Sequence, residues 1–413
     1  MICGRRAGKS FILALIACYL AIFRDWRPYL SPGEVGTIKV IAVDRRQART
    51  IWRYAYALLS QVPVLTRYIR WSDNETIELT NGIVIAIQTA SFRTVRGYTV
   101  VTALLDEVAF WRSEDSANPD TEILDALRPA MATVLGAMLL CASSPYARRG
   151  ALWRAYRRYW AEPGRVLAWK AGTRAMNPTV SEEVIAEAYE ADPASAAAEY
   201  GAEFRTDIES FVAREVVEAL VVPGRYELPP LAATPYHGFV DPWGGSSDSM
   251  TLAIGHFEGV GHDHCVLDLV REVRPPFSPE SVVAQFAKTL RDYRIFTVTG
   301  DRYGGEWPRE RFREHGIRYE VAEKPKSDLY REFLPILNSS RVELLDHPRL
   351  IAQLCALERR TARGGRDSID HAPGGHDDIA NVVAGVLARR SPPGVVITDE
   401  MVRNVSIPVR RRW

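Results

Sequence analysis

Residues 3–10 read Cys3-Gly4-Arg5-Arg6-Ala7-Gly8-Lys9-Ser10 and lie close to the pattern G-x-x-x-x-G-K-S/T of a phosphate-binding loop. Such a loop curls so that its backbone N–H groups face phosphate oxygens. Lys9 would reach the β- and γ-phosphates of ATP, and the hydroxyl of Ser10 would bind Mg²⁺. A helix that begins at about Ser10 would direct its positive end at the anion. The expected nucleotide-binding residues of the loop are Gly4, Arg5, Arg6, Gly8, Lys9 and Ser10.

The loop departs from the usual pattern in two respects. Cys3 stands where a glycine is usual, and only Met1 and Ile2 precede it. Because a phosphate-binding loop normally follows a buried strand, we expect that strand to be missing or very short. Either residues have been lost before Met1, or the nucleotide site is incomplete. Arg5 and Arg6 also lie within the loop. One of them could act as an arginine finger supplied by the same chain. Alternatively, the two arginines only add positive charge that raises ATP affinity.

A second motif strengthens the first. Residues 102–107, Thr-Ala-Leu-Leu-Asp-Glu, form an apolar strand that ends in two acids. Phosphoryl transfer needs a residue that holds the metal and a residue that activates water, which we assign to Asp106 and Glu107, respectively. The alternative is a strand end with two solvated acids.

Residues 142–145, Ala-Ser-Ser-Pro, end the next strand, and their hydroxyls either sense the γ-phosphate or simply lie where the chain leaves the sheet.

Composition excludes several classes of protein. The 413 residues include 52 Lys+Arg and 51 Asp+Glu, so any nucleic-acid binding must come from local basic patches. The five cysteines have no C-x-x-C spacing, which argues against a disulfide scaffold or zinc ribbon and fits a reducing compartment. The one long apolar run, residues 11–23, is shorter than the ~20 residues of a membrane span. A signal peptide is disfavoured because no small-residue cleavage site follows this run.

Strands that alternate with helices predict an α/β fold with a mainly parallel sheet in the first half of the chain. The signals are a strand at 38–43, a helix at 44–60, a hairpin at Asn81-Gly82, strands at 100–105 and 134–142, and a helical stretch at 182–204. The predicted organisation is a P-loop ATPase domain (1–205), a linker (206–234), a second α/β domain (235–390) and a basic C-terminal tail (391–413).

The second half carries acids at the ends of predicted elements. Asp241 and Asp301 each end an apolar strand, and Asp377-Asp378 open an apolar helix after His376. Oxygen ligands suit Mg²⁺ or Mn²⁺, and two such ions about 4 Å apart can clamp a phosphodiester during in-line hydrolysis. A single strand-terminal aspartate is more often a cap or turn residue, so the joint pattern carries the prediction. Asp248, across a Gly244-Gly245 turn, is a further possible participant.

The pattern of acids in the second half resembles that of an RNase H-like nuclease, so residues 235–390 are predicted to form an RNase H-like α/β nuclease domain. Together with the phosphate-binding loop, it resembles the large terminase subunit of tailed bacteriophages over about residues 1–390. The matching segments are residues 4–10, Arg96-Gly97, 104–107, 142–145, 199–204 (Glu-Tyr-Gly-Ala-Glu-Phe), Asp241, Asp301 and 376–378. The resemblance implies catalytic roles for Glu107, Asp241, Asp301 and Asp378, with Asp106 on the ATP-bound Mg²⁺. The implied nuclease metal ligands are Asp241, Asp301, Asp377 and Asp378.

The activity, partners and location given below are implied only by the resemblance to this family. In the family, ATP hydrolysis translocates double-stranded DNA into the procapsid, and the nuclease cuts concatemeric DNA. The implied partners are DNA, the small terminase subunit and the portal protein, with a homo-oligomer on the portal and no membrane. The implied location is the host cytoplasm, transiently at the procapsid, and not the mature virion.

Local basic patches could contact DNA phosphates, although charged helix faces usually face water. They are Arg148, Arg149, Arg154, Arg157 and Arg158 among aromatic residues, Arg359, Arg360, Arg363 and Arg366, and the pair Lys324 and Lys326. The run from His262 to Cys265 is spaced too tightly for one tetrahedral metal site, so a hairpin turn is expected there. Two other functions remain open: a helicase-like or repair ATPase that binds nucleic acid without cutting it, and a signal-anchored surface protein.

Overall fold

The computed structural model describes residues 1–90, 97–111, 119–242, 248–259, 263–301, 306–361 and 367–388. The chain divides into two compact units. One comprises Met1–Glu209 with Arg359–Asp367, and the other comprises Ser210–Glu358 with the described residues from Ser368 onward. Several residues singled out from the sequence lie outside the described residues: Arg96, Gly244, Gly245, His262, Arg363, Arg366 and the tail 391–413.

The first unit is an α/β domain. Its strands are β1 (Ile2–Cys3), β2 (Gly36–Ala42), β3 (Ile69–Ser72), β4 (Thr76–Leu79), β5 (Ile83–Thr89), β6 (Thr99–Asp106), β7 (Met138–Ala142) and β8 (Lys170–Ala171). Its helices are α1 (Lys9–Phe23), α2 (Arg45–Gln61), α3 (Pro63–Thr66), α4 (Pro119–Met131), α5 (Gly150–Tyr159), α6 (Thr173–Met176), α7 (Glu182–Ala191) and α8 (Pro193–Glu199). Two short 3₁₀ helices occur at Arg27–Tyr29 and Val108–Phe110.

The main sheet of this unit has the strand order β3-β4-β5-β2-β6-β7. Strands β5, β2, β6 and β7 are parallel, and β3 and β4 form an antiparallel edge with β5 through the predicted Asn81-Gly82 hairpin. The apolar residues of β2 and β6 are buried on both faces, as expected of parallel strands covered by helices. The predicted α/β class is confirmed.

The strand before the phosphate-binding loop is short, as the sequence suggested. Strand β1 has two residues and pairs in parallel with β8. The Cys3 N–H donates to the Ser143 carbonyl at 3.0 Å, and the Ser143 N–H donates to the Met1 carbonyl at 3.1 Å. These bonds place β1 directly beside the extension of β7, so the loop starts at the carboxyl edge of the parallel strands.

The second unit is built on a seven-stranded sheet. Its strands are β10 (Val221–Val222), β11 (Tyr236–Asp241), β12 (Met250–Glu258), β13 (His264–Val273), β14 (Thr297–Gly300), β15 (Arg318–Val321) and β16 (Val342–Leu345). Its helices are α9 (Arg214–Leu220), α10 (Pro279–Asp292), α11 (Trp307–Glu314), α12 (Lys326–Asn338), α13 (Pro348–Ala356) and α14 (Asp378–Leu387). The short strands β9 (Ile208–Ser210), β17 (Leu357–Thr361) and β18 (Asp367–His371) form a separate three-stranded sheet.

Strand order in the larger sheet is β10-β16-β13-β12-β11-β14-β15. The consecutive strands β11, β12 and β13 are antiparallel, whereas β14 is parallel to β11. Helix α14 is buried along its length from Ile379 to Leu387 and packs on β11 and β12. Gly385 permits this approach, because a Cβ there would come within 2.4 Å of the Phe239 ring.

Three segments differ from the sequence prediction. The predicted linker 206–234 contains β9, α9 and β10, because its first half is apolar: Phe211, Val217 and Leu220 lie in the core of the second unit. Strand β7 begins only at Met138, since Gly136 adopts a positive φ of 76° that ends the preceding turn. The helical stretch predicted at 182–204 is interrupted at Asp192-Pro193. Among the described residues, no helix has the length and apolarity needed to cross a membrane.

Candidate functional site

The phosphate-binding loop has the backbone shape that its sequence predicts. Helix α1 begins at Lys9, and Gly8 precedes it with a left-handed φ of 85°. A glycine suits this position because the left-handed region strains other residues. The first turn of α1 contains no acidic side chain. The positive end of the helix is therefore available to an anion.

Lys9 is buried and engages polar groups from three segments. Its Nζ donates to the Ser144 Oγ at 2.9 Å and to the Gly4 carbonyl at 3.2 Å. The same Nζ lies 3.2 Å from the Glu107 Oε1. The ammonium charge is thus balanced by a carboxylate of the chain itself, and residues 142–145 contact the loop directly.

Asp106 and Ser10 meet at the start of α1. The Ser10 Oγ donates to the Asp106 Oδ2 at 3.0 Å, and the Gln47 Nε2 lies 3.4 Å from the same oxygen. Burial and the neighbouring Glu107 raise the pKa of Asp106 to about 6. The buried Asp106 Oδ1 has no hydrogen-bond partner among the residues that the structure describes. An oxygen left without a donor beside a serine hydroxyl fits a hydrated Mg²⁺.

Glu107 is held in a left-handed conformation with φ 52°. Its Oε2 accepts hydrogen bonds from the Ser144 N–H at 3.0 Å and from the Ser143 Oγ at 3.1 Å. Its Oε1 faces Lys9. A non-glycine residue in this conformation is strained, and such strain is concentrated at functional positions.

The outer side of the loop rests on residues that the sequence analysis did not single out. The Thr173 Oγ1 donates to the Arg5 carbonyl at 2.7 Å, and the Asn177 Nδ2 donates to the Arg6 carbonyl at 2.9 Å. A Cβ at Gly4 would lie 2.2 Å from the Thr173 Oγ1, so the close approach requires glycine. The Arg5 guanidinium is largely exposed and lies 3.5 Å from Glu199, and the Arg6 side chain is exposed. The role of either arginine remains a prediction.

In the second unit, strand pairing brings two of the predicted acids together. Strands β11 and β14 are parallel neighbours, with Val240 opposite Gly300. Asp241 ends β11, and Asp301 follows β14 at the same edge of the sheet, where its N–H donates to the Val240 carbonyl at 3.2 Å. The packing of α14 on β11 adds Asp378, the first residue of that helix.

The acids line one cavity of about 680 Å³. Its lining residues are Asp241, Asp248, Ser249, Asp301, Ala322, Lys324, Pro325, Lys326, His371, Gly375, His376, Asp377, Asp378 and Asn381. All five acids proposed from the sequence for this half of the chain are therefore brought together. The cavity size is within the usual range for small-ligand sites.

Asn381 is the residue of this cavity that the sequence analysis missed. Its Nδ2 donates to the Asp241 Oδ2 at 2.8 Å and lies 3.3 Å from the Asp301 Oδ2. The position is three residues after Asp378, and residues at this spacing share a helix face. This spacing was the available signal. The Asn381 Oδ1 is buried without a hydrogen-bond partner in the described part of the chain.

Helix α14 is fixed at its first turn, which matters for the position of Asp378. The Gln353 Oε1 of α13 accepts hydrogen bonds from the N–H groups of Ile379 and Ala380 at 2.9 and 3.0 Å. The Thr251 Oγ1 of β12 donates to the Asp378 carbonyl at 3.0 Å. The two hydrogen bonds to Gln353 satisfy N-terminal N–H groups that the helix cannot satisfy itself, and the Thr251 bond is an additional contact to its first turn.

Burial, together with the crowding of acids, raises the pKa values of two aspartates in the cavity. Burial, with the nearby charges of Asp301, Asp378 and Asp377, raises the pKa of Asp241 to about 7, although Asn381 opposes the shift. Burial and Asp377 raise the pKa of Asp378 to about 6. Carboxylates that are costly to ionise together are stabilised by a divalent cation among them. The oxygen-rich donor set therefore fits Mg²⁺ or Mn²⁺.

Asp377 has a different environment from the other acids. Its Oδ2 lies 3.0 Å from the Lys326 Nζ and accepts a hydrogen bond from the Tyr330 Oη at 2.8 Å. Lys326 also donates to the Asp370 Oδ1 at 2.9 Å. His376 lies at the rim of the cavity, 3.4 Å from Asp248.

The predicted DNA-contacting residues have mixed surroundings. Helix α5 carries Arg154, Arg157 and Arg158 as exposed side chains. By contrast, Arg359 donates to Asp367 at 2.6 Å and Lys324 donates to Glu332 at 2.6 Å. In the run predicted to be a hairpin turn, His264 and Cys265 begin β13.

Comparisons with known proteins gave structural matches only. No family model matches this chain, and a search of curated proteins also found no match. The HK97 bacteriophage large terminase is 16% identical, with 93% of this chain and 89% of that chain covered and a TM-score of 0.39. A large terminase from a thermophilic bacteriophage is 13% identical, with coverages of 92% and 91% and a TM-score of 0.42.

A third match covers part of the chain. The large terminase nuclease from thermophilic phage G20c is 16% identical and covers 42% of this chain and 96% of its own, with a TM-score of 0.37. The full-length thermophilic terminase has been solved in complex with ADP and with ATP-gamma-S, and the G20c nuclease with bound magnesium and with bound cobalt. The two structures described above that align with 93% and 92% of this chain are both large terminases of bacteriophages.

Proposed function

We propose that this chain is the large subunit of a phage terminase, an ATPase that also cuts DNA with the help of divalent metal ions. One observation carries the proposal. Asp241, Asp301 and Asp378 come from distant segments and line one cavity, in a chain that also folds a phosphate-binding loop around Lys9. The phosphate-binding loop alone would fit any ATPase, and the acidic cavity alone would fit any metal-dependent nuclease.

The first unit would bind ATP through the loop of residues 4–10 and the start of α1. Ser10 and Asp106 would hold Mg²⁺, which supplies positive charge to the phosphate oxygens. The Lys9 Nζ contacts the Glu107 Oε1 at 3.2 Å. A γ-phosphate competes for the same ammonium, so ATP binding would release Glu107 Oε1 to accept a proton from water. Ser143 and Ser144 would keep the other oxygen of Glu107 in place.

The second unit would hydrolyse phosphodiester bonds. Asp241, Asp301 and Asp378 would hold two divalent ions, which supply charge to the attacking and leaving oxygens. Asn381 bridges Asp241 and Asp301 and so fixes the separation and orientation of their carboxylates. Gln353 fixes the start of α14 and thereby Asp378.

The biological setting follows as part of the same proposal. Hydrolysis of ATP would drive double-stranded DNA into a procapsid, and the nuclease would cut concatemeric DNA. The proposed partners are the small terminase subunit and the portal protein, on which several copies of the chain would assemble. The proposed location is the host cytoplasm, transiently at the procapsid.

Nicking of supercoiled plasmid in the presence of Mn²⁺ tests the nuclease, with ATP turnover of the same preparation as the parallel measurement. We expect the wild-type chain to nick DNA, and Asp301→Asn to lose nicking while it retains DNA binding and ATP turnover. A wild-type chain that binds DNA and hydrolyses ATP but never cuts at any Mn²⁺ concentration would establish the helicase-like alternative instead.

A further inference from the structure

Among the acids that line the cavity, Asp377 is held by two other side chains of the second unit. It is 5% exposed, and two residues of α12 reach the same carboxylate oxygen: Lys326 at 3.0 Å and Tyr330 at 2.8 Å. Lys326 and Tyr330 are four residues apart and therefore lie on one face of α12. The Asp377 carboxylate is thus contacted by a charged donor, Lys326, and by a neutral donor, Tyr330.

We infer that Lys326 is a built-in cation of the acidic cavity and that, together with Tyr330, it removes Asp377 from the set of metal ligands. The inference rests on the proposed nuclease function and deepens it. It assigns the divalent ions to Asp241, Asp301 and Asp378, and it makes Lys326 and Asp377 positioning residues. The sequence pattern had placed Asp377 among the ligands.

Lys326 contacts two members of a three-residue cluster whose side chains could hold a metal ion. Potential ligand atoms of Asp370, His371 and Asp377 all lie within 4.8 Å of one another. The Lys326 Nζ contacts two of these residues, at 2.9 Å from Asp370 and 3.0 Å from Asp377. Through these contacts, a protein ammonium already supplies the positive charge that this cluster would otherwise draw from a bound cation.

The surrounding contacts hold Lys326 in this position. The Ser327 Oγ accepts a hydrogen bond from the Ile369 N–H at 2.9 Å, which ties the start of α12 to the strand that carries Asp370. Tyr330 is completely buried, so its hydroxyl has little freedom to leave Asp377. The Lys326 side chain is 28% exposed and lines the cavity. Its charge therefore acts on the cavity as well as on Asp377.

Because the inference concerns the net charge of the cavity, the binding of divalent cations can test it without DNA. Replacing Asp377 by asparagine leaves the Lys326 charge less compensated, which disfavours divalent cations nearby. Removing Lys326 as well restores the net charge of the cavity. If Asp377 were itself a ligand, the second substitution could not replace the lost oxygen.

Calorimetric titration of Mn²⁺ into the metal-free, nucleotide-free full chain provides the test, with wild type, Asp377→Asn and the double variant Lys326→Met/Asp377→Asn compared. We expect Asp377→Asn to weaken Mn²⁺ binding about tenfold and the double variant to return to within about twofold of wild type. A remote pair serves as the matched control: Lys288 and Asp292 lie 3.1 Å apart on α10, and Lys288→Met or Asp292→Asn should leave Mn²⁺ affinity unchanged.

Neither variant in the decisive comparison leaves a buried carboxylate at position 377, so both should fold, as circular dichroism and thermal unfolding will verify. If both fail to fold, Lys326→Gln takes over: it removes the ammonium but keeps Asp377 and Tyr330, so the cavity gains negative charge and Mn²⁺ should bind more tightly. A double variant that remains as weak as Asp377→Asn, or an unchanged Mn²⁺ affinity of Lys326→Gln when that variant is used, would overturn the role of Lys326 alone. A wild-type chain that binds no Mn²⁺ would overturn the nuclease proposal with it.

Discussion

The phosphate-binding loop and the acidic cavity differ in how their charged side chains are compensated. In the loop, the Lys9 ammonium meets the Glu107 carboxylate, so charges of the chain compensate each other. In the cavity, burial raises the pKa values of Asp241 and Asp378, and the neighbouring acids raise them further. Under the proposed function, the loop would exchange the Glu107 partner of Lys9 for a substrate phosphate, whereas the cavity would need divalent cations for all its acids to ionise.

This difference makes the two sites separable by mutation, and Asp241→Asn should give the largest effect. Loss of one buried carboxylate oxygen removes a proposed metal ligand, and we expect Mn²⁺-dependent nicking to fall on the order of a thousandfold. ATP turnover should stay at the wild-type rate, because the substitution leaves Lys9 and its partners intact. Plasmid nicking and ATP turnover measured on one preparation check both parts. Equal loss of the two activities would mean that the sites are not independent.

Lys9→Ala is the reciprocal change in the loop. Without the ammonium, the phosphate contact and the Glu107 pairing disappear together, and we expect ATP turnover to fall by two to three orders of magnitude, about the effect of one lost charge-stabilising group. Nicking of plasmid with Mn²⁺ should persist. Steady-state phosphate release measures the first effect, and retained turnover would reassign the lysine to a structural role.

Asn381→Ala should have an intermediate effect. It removes the donor shared by Asp241 and Asp301 but leaves every proposed metal ligand in place. We expect nicking to fall about tenfold to a hundredfold, in line with the cost of losing outer partners of metal ligands. Mn²⁺ titration of the nicking rate should show a higher half-saturating concentration. An unchanged rate would show that the two carboxylates hold their positions without the bridge.

The smallest effect concerns stability and pH in the absence of metal. The pKa values of about 7 for Asp241 and about 6 for Asp378 lie above the ordinary 3.8, so the folded chain binds more protons than the unfolded chain between about pH 4 and 7. The contribution of these acids to stability must therefore decrease as pH rises through this window.

Thermal unfolding in EDTA measures this contribution. We expect the melting temperature of wild type to drop by a few degrees more between pH 5 and pH 7.5 than that of Asp241→Asn. Mg²⁺ should reverse the drop at pH 7.5. Identical pH profiles for the two proteins would contradict the assignment of the raised pKa to Asp241.

Sequence patterns named most of the residues in both sites but not the contacts among them. Lys9 and Ser10 belong to a contiguous motif, and Asp241 and Asp301 were found because each ends an apolar strand. Asn381 was missed because a lone asparagine on an apolar helix gives no charge signal. The Lys326–Asp377 contact joins residues 51 positions apart, and such pairings depend on how α12 and α14 pack.

Local patterns were less reliable at segment boundaries. Proline and glycine after residue 222 indicated a linker, but the apolar residues 211–220 before them contribute to a core. Burial of that kind depends on the partner surface, which no local window contains. The family suggested by the motifs and the roles of the individual residues remain predictions.

The most direct test of the account is anomalous diffraction from crystals of the chain grown with Mn²⁺. The account predicts two manganese peaks in the cavity, in contact with carboxylate oxygens of Asp241, Asp301 and Asp378, and no peak on Asp377, which Lys326 should still hold. Absence of manganese from the cavity, or ions bound away from these three aspartates, would contradict it.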